Sequence, residues 1–243
     1  MESRVAAIVP AAGLSRRFGV SRSKPLVSLY GHPLLAHTLR ALQDSQAVGW
    51  IIPVIREQDR KTIQRLVSRY HLSKVLQLCT GGASRAESVR RGAAALPTKA
   101  KWVLVHDGAR PCVTPALIEQ VVQEARRRGA AVCGLPAPVT VKAVDAHHQV
   151  RLTLDRDTLW FVQTPQVFRR DWFEQSLAAA HRCLSDFPDD AAIVEAAGFS
   201  VQVIAGDPGN LKVTTPEDLL LAEAILKSRN GHAHRHRVRY SPI

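Results

Sequence analysis

The sequence predicts an α/β protein built on a Rossmann-like, doubly wound and mostly parallel sheet. Short apolar segments without polar alternation recur along the chain, and segments with apolar residues at helical spacing separate them. An uninterrupted apolar run is typical of a strand buried on both faces, as in parallel sheets. Regular alternation of such strands with helices indicates βαβ units. With 243 residues, 46% of them hydrophobic, the chain can bury the core of one such domain.

The first half of the chain supplies most of the predicted units. We expect strands at residues 5–9, 50–55, 75–78, 102–105 and 130–135. Helical spacing predicts helices at 34–42, 58–70, 84–96 and 114–128. Pro97 ends the third helix, because proline cannot continue one. Thr114-Pro115 opens the fourth, as an N-cap followed by proline at the first helical position.

The regular pattern breaks at Pro136-Ala137-Pro138. Apolar residues then alternate with polar ones, as at Val150, Leu152 and Leu154, which predicts an antiparallel arm over about 139–159. Helices at 171–184 and 190–197, a strand at 201–204 and a last helix at 215–228 follow. We therefore expect one domain over 1–228 with an inserted arm, and a basic, disordered tail over 229–243.

Composition excludes several classes of protein. No apolar run approaches the roughly 18 residues of a membrane span, and the start lacks the features of a signal peptide. We expect a cytoplasmic protein without a membrane partner. The net charge of +12 suits a polyanionic ligand, but no nucleic-acid motif is present, so we expect no nucleic-acid partner. The four cysteines form no CxxC pair and lack zinc-site spacing.

A loop rich in small and basic residues follows the first predicted strand. It reads Pro10-Ala11-Ala12-Gly13, then Arg16, Arg17 and Lys24. In doubly wound sheets, ligands bind outside the carboxyl ends of the strands. Small residues allow close backbone approach, and N–H groups with basic side chains suit a triphosphate. The loop matches neither a Walker motif nor GxGxxG. An ordinary basic surface loop is the alternative.

A second candidate loop, His106-Asp107-Gly108-Ala109-Arg110, follows the fourth predicted strand. A carboxylate there would face the first loop and could hold Mg²⁺, which usually takes one or two carboxylates plus substrate phosphates. The alternative for Asp107 is a turn cap. Arg110 could pair with Asp107 or with a second phosphate.

Five segments in order resemble the cytidylyltransferases that act on 2-C-methyl-D-erythritol 4-phosphate. They span nearly the whole chain and are Pro10-Ala11-Ala12-Gly13 with Arg16, Arg17, Lys24 and Pro25; Gly81-Gly82 with Arg85-Ala86-Glu87-Ser88-Val89; Val105-His106-Asp107 with Ala109-Arg110-Pro111; Asp155-Arg156 with Leu159-Trp160, Thr164-Pro165-Gln166 and Phe168; and Asn210-Leu211-Lys212-Val213-Thr214 with Pro216-Glu217-Asp218-Leu219.

The resemblance implies CTP and methylerythritol phosphate as substrates, Mg²⁺ as cofactor, and a homodimer with crossing arms. It implies that Arg17 and Lys24 stabilise charge on the α-phosphate. It further implies nucleotide contacts from Ala11, Ala12, Gly13, Gly82, Arg85 and Ser88. Asp107 would hold the metal, and the acceptor phosphate would contact Arg110, Thr140, Arg156, Thr164 and Lys212, of which Arg156 and Lys212 count among the catalytic residues.

The chemistry is consistent with these residue types. The attacking phosphate oxygen is already ionised, so transfer depends on positioning and electrostatics and requires no general base. Three residues depart from the family pattern: Ala83, Val139 and Pro188. A ribitol-5-phosphate cytidylyltransferase and a non-catalytic nucleotide-binding protein are the alternatives. Some of these residues also have plain structural interpretations. Ser88 could bond its own helix backbone, Arg85 could lie on a solvated helix face, and Arg156 and Lys212 could be surface charges.

Overall fold

The computed structural model describes residues 5–13, 23–180 and 184–238. The strands are β1 Val5–Pro10, β2 Ser28–Leu29, β3 His32–Pro33, β4 Val48–Ile55, β5 Cys79–Thr80, β6 Trp102–Val105, β7 Ala130–Pro136, β8 Val141–Val144, β9 Val150–Leu154, β10 Trp160–Arg169 and β11 Gln202–Ala205. The helices are α1 Leu34–Asp44, α2 Arg60–Arg69, α3 Arg85–Ala94, α4 Pro115–Arg128, α5 Arg170–Ala179, α6 Asp190–Ala196 and α7 Pro216–Val238.

A seven-stranded sheet with the order β11-β7-β10-β6-β1-β4-β5 forms the centre of the protein. Strand β10 runs antiparallel to both neighbours, and the other neighbouring pairs are parallel. The predicted mostly parallel α/β fold is therefore confirmed. Because β1, β4 and β6 are adjacent and parallel, their carboxyl ends meet at one edge of the sheet.

Two apolar layers cover the sheet, one on each face. In β1, Val5, Ala7 and Val9 pack into one cluster, while Ala6 and Ile8 pack into the other. This explains why the strand has no polar alternation. Helix α3 approaches β1 so closely that a Cβ at Gly92 would lie 2.5 Å from Cγ2 of Ile8. Glycine at this position therefore lets α3 pack closely against β1.

Strand β10 is the main element that the sequence pattern does not predict. It spans ten residues between β6 and β7, but its middle contains Gln163, Thr164, Pro165 and Gln166. Polar residues and a proline argue against a central strand. The register shifts between Val162 and Gln166, and this irregularity accommodates the interruption. Thr164 and Pro165 therefore lie inside a strand and do not form a turn between two elements.

Three further predicted elements differ in extent. The strand predicted at 75–78 is reduced to a bridge between Val75 and Ile51, with β5 following at the edge of the sheet. The helix predicted at 171–184 ends at Ala179, because Ala180 is extended. Helix α7 continues to Val238 instead of ending near residue 228, since no proline interrupts residues 229–238. The disordered tail stays a prediction, and residues 239–243 lie outside the described residues.

The predicted antiparallel arm is present as a hairpin of β8 and β9. Most side chains of β9 are exposed in the single chain, with Val150 at 58% and Leu152 at 56% of their full accessibility. Within the part of the chain that the structure describes, no helix combines the length and the apolar character that crossing a bilayer would need.

Candidate active site

The loops after β1 and β6 are hydrogen-bonded to each other and form the floor of the site. The N–H of Gly108 donates to the carbonyl of Pro10 at 3.1 Å. A Cβ at Gly108 would lie 3.1 Å from the Cβ of Ala11, so the two loops are in close contact. The predicted nucleotide-binding residues Ala11, Ala12 and Gly13 therefore lie beside the loop of Asp107.

The glycine pair after β5 closes against the same loop. The N–H of Gly81 donates to Ile55 at 2.8 Å, and any side chain at Gly81 would collide with Ala12. The N–H of Gly82 donates to Oγ of Ser88 at 3.0 Å, and that hydroxyl donates to the carbonyl of Ser84 at 2.9 Å. Ser88 thus bonds its own helix backbone and also holds the Gly82 loop in place.

Asp107 is buried at the carboxyl end of β6 and is held by two cations. Its Oδ1 lies 2.8 Å from Nε of Arg85, and its Oδ2 lies 2.6 Å from Nζ of Lys212. Burial alone would raise the pKa of Asp107, but the charges and hydrogen bonds of Arg85 and Lys212 hold that pKa well below its usual range. Asp107 is therefore ionised at neutral pH. The side chain of Lys212 is 41% exposed, whereas that of Asp107 is only 8% exposed.

Arg85 joins Asp107 to a second buried carboxylate. Its Nη2 lies 2.8 Å from Oδ2 of Asp190, whose side chain is fully buried. Burial lowers the pKa of Arg85, but Asp190 and Asp107 outweigh it and raise that pKa above its usual value. Burial raises the pKa of Asp190, while Arg85 opposes the change. Arg85 is thus a bridge between two acids and not a solvated residue of the helix surface.

A chain of buried hydrogen bonds fixes the backbone at Asp107. Its N–H donates to Oγ1 of Thr164 at 3.1 Å, and that hydroxyl lies 3.1 Å from Nδ1 of His106. Burial and the charge of Arg110 lower the pKa of His106 to about 4, so the imidazole is neutral. A neutral ring that accepts at Nδ1 carries its proton at Nε2, 3.4 Å from the carbonyl of Arg110.

The loop before α7 is anchored to β10 and to the Asp107 loop. The side chain of Asn210, which is buried, donates to the carbonyl of Thr164 at 2.8 Å. Nη1 of Arg110 donates to the carbonyl of Asn210 at 2.7 Å. Nζ of Lys24 donates to the carbonyl of Val213 at 3.0 Å. These contacts bring Lys24 and Lys212 to the same side of the site.

Three buried polar atoms lie around this centre without a hydrogen-bond partner among the described residues. They are Nε of Arg110, Oδ1 of Asp190 and Oδ1 of Asn210. Leaving a buried polar group unpaired costs about 1–3 kcal/mol. A bound ligand, ion or water could supply the missing partners of these atoms.

The structure separates the predicted site residues into three groups. Those at the sheet edge are Ala11, Ala12, Gly13, Lys24, Gly82, Arg85, Ser88, Asp107, Arg110, Thr164 and Lys212. Thr140 and Arg156 lie on or beside the arm and are exposed. Arg156 is 3.8 Å from a carboxylate oxygen of its neighbour Asp157. Arg17 lies outside the described residues.

Sequence reasoning missed the structural roles of several residues. His106 and Asn210 stand inside the matching segments, but nothing in their spacing indicates that they connect Asp107, Thr164 and Arg110. Asp190 belongs to an acidic pair that opens α6, and its contact with Arg85 spans 105 residues. Asp59 accepts from Ser23 at 2.7 Å and anchors the stem of the basic loop, without any local sequence pattern that predicts it.

Asp107 suits a magnesium site in which substrate phosphates and water fill most of the coordination positions of the ion. Mg²⁺ usually takes one or two carboxylates and completes its octahedron with phosphate oxygens and water. Oδ2 of Asp107 is held by the half-exposed Lys212, which can move to a phosphate. Among the described residues, no group of three or more acidic, histidine or cysteine side chains forms a closed metal cage. Asp207, a carboxylate in the loop before α7, already accepts from Arg229 and from the N–H of Gly209.

The chain is similar to one enzyme family over almost its full length. Residues 5–228 match the family described as 2-C-methyl-D-erythritol 4-phosphate cytidylyltransferase. The relative of that name from Syntrophus aciditrophicus is 38% identical over 232 residues, which are 95% of this chain and 99% of the relative. The relative of that name from Synechococcus elongatus is 42% identical over 230 residues, which are 91% of this chain and 96% of the relative.

Solved structures of similar proteins share the fold. The 2-C-methyl-D-erythritol 4-phosphate cytidylyltransferase from Thermus thermophilus has a TM-score of 0.74 at 32% identity, covering 92% of this chain and 99% of that one. The 4-diphosphocytidyl-2C-methyl-D-erythritol synthase from Anaerococcus prevotii has a TM-score of 0.79 at 28% identity, covering 93% and 99%.

Proposed function

Because the chain belongs to the 2-C-methyl-D-erythritol 4-phosphate cytidylyltransferase family, we propose that it joins that phosphate to CTP. A phosphate oxygen of the acceptor attacks the α-phosphorus of CTP, and the bond from that phosphorus to the β-phosphate oxygen breaks. The products are 4-diphosphocytidyl-2-C-methyl-D-erythritol and pyrophosphate, which places the enzyme in non-mevalonate isoprenoid biosynthesis. The observation that carries this proposal is the buried, ionised Asp107, held by Arg85 and Lys212 beside the loop after β1.

The nucleotide would bind across the loop after β1 and the Gly81-Gly82 loop. Backbone groups of Ala11, Ala12 and Gly13 would line the phosphates, because small side chains let the chain approach closely. Gly82 would face the base, with Ser88 fixing its position through the 3.0 Å hydrogen bond. A pocket lined by backbone atoms between two contacting loops favours a small pyrimidine over a purine.

Lys24, Lys212 and Arg17 would stabilise the negative charge that builds during transfer. Lys24 is bonded to the carbonyl of Val213, next to Lys212, so both ammonium groups approach the same region. Lys212 would exchange Asp107 for a phosphate oxygen when substrate binds. Preorganised charges of this kind act mainly on the transition state, because they are in place before charge develops.

Asp107 would hold Mg²⁺ through the oxygen that Lys212 releases. The bound ion would supply Lewis-acid stabilisation by drawing charge from the phosphate oxygens. Arg85 retains the other oxygen and keeps the carboxylate ionised. The two ion pairs of Arg85 favour this supporting role over the nucleotide contact that the resemblance implies.

The acceptor phosphate would contact Arg110 and residues of the arm. The unpaired Nε of Arg110 can donate to a phosphate oxygen. The hydroxyl of Thr164 accepts a hydrogen bond from the N–H of Asp107 and so lies close to the same site. Thr140 and Arg156 are exposed on or beside the arm in the single chain. We therefore propose that they act in the site of a second subunit.

A homodimer with exchanged arms accounts for the exposed apolar side chains. Val139, Val150 and Leu152 on the arm are more than half exposed, and Phe161 at the start of β10 is exposed as well. Contiguous apolar surface marks an interface, and a twofold exchange would bury both copies together. Arg156 would then reach the other subunit, where its planar fork can bind a phosphate bidentately.

A comparison of acceptors tests the proposed reaction. Pyrophosphate release is measured with CTP and Mg²⁺ in the presence of methylerythritol phosphate, ribitol 5-phosphate or no acceptor. We expect release that depends on methylerythritol phosphate and is at least tenfold slower with ribitol 5-phosphate. Equal or faster release with ribitol 5-phosphate would assign the chain to that activity instead, in line with its departures at Ala83, Val139 and Pro188. Acceptor-dependent release from neither would contradict the proposal.

A further inference from the structure

Asp107 belongs to a cluster of four charged side chains, and one member of this cluster has no role in the reaction described above. The carboxylates of Asp107 and Asp190 both bond to Arg85 at 2.8 Å, and Lys212 lies 2.6 Å from Asp107. Two acids and two bases make the formal charge of the cluster zero. Asp190 is fully buried, and its Oδ1 has no hydrogen-bond partner among the described residues.

The cost of burying Asp190 requires a compensating gain. Removing a carboxylate from water costs several kcal/mol, and one ion pair seldom repays it fully. An apolar residue at this position of α6 could be buried without that cost. The gain must therefore lie in what Asp190 does to Arg85.

Arg85 without Asp190 would make the site unsuited to a divalent cation. Lys212 would move to a phosphate on substrate binding, leaving Asp107 with Arg85 alone. The charges of Asp107 and Arg85 would then cancel, and a cation at the free oxygen of Asp107 would meet no net negative charge from the protein. Asp190 restores that charge, because it neutralises Arg85 through Nη2 while Asp107 bonds Nε.

We infer that Asp190 is a positioning residue for the metal site: it neutralises Arg85 and fixes it, so that Asp107 keeps one oxygen and a full charge for a divalent cation. The inference rests on the proposed role of Asp107 as the metal ligand. The two oxygens of Asp107 then have different roles. Oδ1 stays bonded to Arg85, whereas Oδ2 exchanges between Lys212 and the cation. Partners that orient a metal ligand typically change metal affinity 10–100-fold when they are removed.

The test is direct cation binding, measured apart from turnover. Mn²⁺ is titrated into the full chain with CTP, and water-proton relaxation distinguishes Mn²⁺ held on the protein from Mn²⁺–CTP in solution. CTP binding without metal is measured by calorimetry in the presence of a chelator. For Asp190→Asn, we expect about tenfold weaker binding of Mn²⁺. We expect metal-free CTP to bind within twofold of the wild type or more tightly, since one negative charge near a polyanion is lost.

Two control variants separate this role from general loss of charge or of structure. Asp189 caps α6 through Ala192 and bonds Gln166, without contacting Arg85 in the described structure. Asp189→Asn removes one negative charge from the adjacent residue, and the affinity for Mn²⁺ should stay within about twofold of the wild type. Arg85→Gln combined with Asp190→Asn restores the neutral balance and should bring Mn²⁺ affinity back to within about threefold of the wild type.

The outcomes are distinct. Wild-type Mn²⁺ affinity in folded Asp190→Asn, or equal losses of Mn²⁺ and metal-free CTP binding, would overturn the inference. If Asp190→Asn does not fold, the double variant decides: affinity near the wild type supports the inference, and a loss of tenfold or more overturns it. Asp107→Asn is measured in parallel. Unchanged Mn²⁺ binding there would overturn the metal role of Asp107 itself, whereas loss there with normal Asp190→Asn refutes only the role of Asp190.

Discussion

Replacing Thr164 with valine removes one hydroxyl that joins two groups of the candidate site. Thr164 is buried on β10, and its Oγ1 lies 3.1 Å from the N–H of Asp107 and 3.1 Å from Nδ1 of His106. Valine has nearly the same shape, so the substitution removes the hydrogen bonds without opening a cavity. The N–H of Asp107 and the ring nitrogen of His106 would both remain buried and unpaired.

The expected loss of stability follows from these two unpaired groups. Each costs about 1–3 kcal/mol, and the added methyl group returns about 0.8 kcal/mol. The free energy of unfolding should therefore fall by about 1–5 kcal/mol. For a chain of this size, 1 kcal/mol corresponds to about 2–4 °C, so the midpoint of thermal unfolding should fall by about 2–20 °C.

The matched control is Thr164→Ser, which keeps the hydroxyl and loses the methyl group. Its cost should be about 1 kcal/mol, from the lost methyl group. Thermal and denaturant unfolding of both variants measure the difference, and turnover with CTP is measured alongside. We expect Thr164→Val to lose turnover as well, because the Asp107 loop would shift. If serine destabilises the protein as much as valine does, the hydroxyl bridge does not fix the Asp107 backbone.

Three further predictions concern the nucleotide, the charged loop and the arm. Lys24→Ala should lower turnover about a hundredfold or more, while the affinity for CTP changes little. The control variant Lys99→Ala, at the opposite edge of the sheet, should match the wild type. A large loss of CTP affinity with intact turnover would assign Lys24 to binding alone. CTP should support much faster pyrophosphate release than ATP or GTP, and comparable rates with ATP would rule out the small base pocket. When inactive Arg156→Ala and inactive Lys24→Ala subunits are mixed and allowed to exchange, each mixed dimer should recover up to half of the wild-type activity. If no activity returns, or if the protein sediments as a monomer, Arg156 does not act in the site of the other subunit.

The buried parallel strands and the capped helices were predictable because local chemistry determines them. Strand β6 is uniformly apolar and matches its predicted bounds at 102–105, and α4 begins after the Thr114 cap with Pro115 at its first position. The hydroxyl of Thr114 accepts from the N–H of Leu117, as that pattern predicts. Such elements depend on neighbouring residues, which a sequence displays directly.

Strand β10 was not predictable, because its pairing comes from distant segments. Its polar centre is buried only since Gln166 bonds Asp189 and the N–H of Ala191, and Asn210 bonds Thr164. Those partners lie more than 20 residues away in the sequence. A local pattern of glutamine, threonine and proline predicts a turn, and only the tertiary hydrogen bonds make a strand of it.

The candidate site likewise combines residue positions that the sequence predicts with contacts that it does not predict. The positions of Asp107, Lys24 and Lys212 follow from where strands end and from the family resemblance. The ion pair from Arg85 to Asp190 does not, since two charged residues 105 positions apart carry no shared local pattern. Roles that depend on which charge pairs with which therefore became visible only in the structure.

The central claim is that the site around Asp107 carries out magnesium-dependent transfer from CTP to methylerythritol phosphate. Pyrophosphate release by the wild type and by Asp107→Asn, under the same saturating substrates and Mg²⁺, tests it most directly. A carboxamide preserves the shape but loses the charge that would hold the cation. Because the ion supplies several kcal/mol to the transition state, the rate should fall about a hundredfold or more in a folded variant. Release at the wild-type rate by folded Asp107→Asn would contradict the claim.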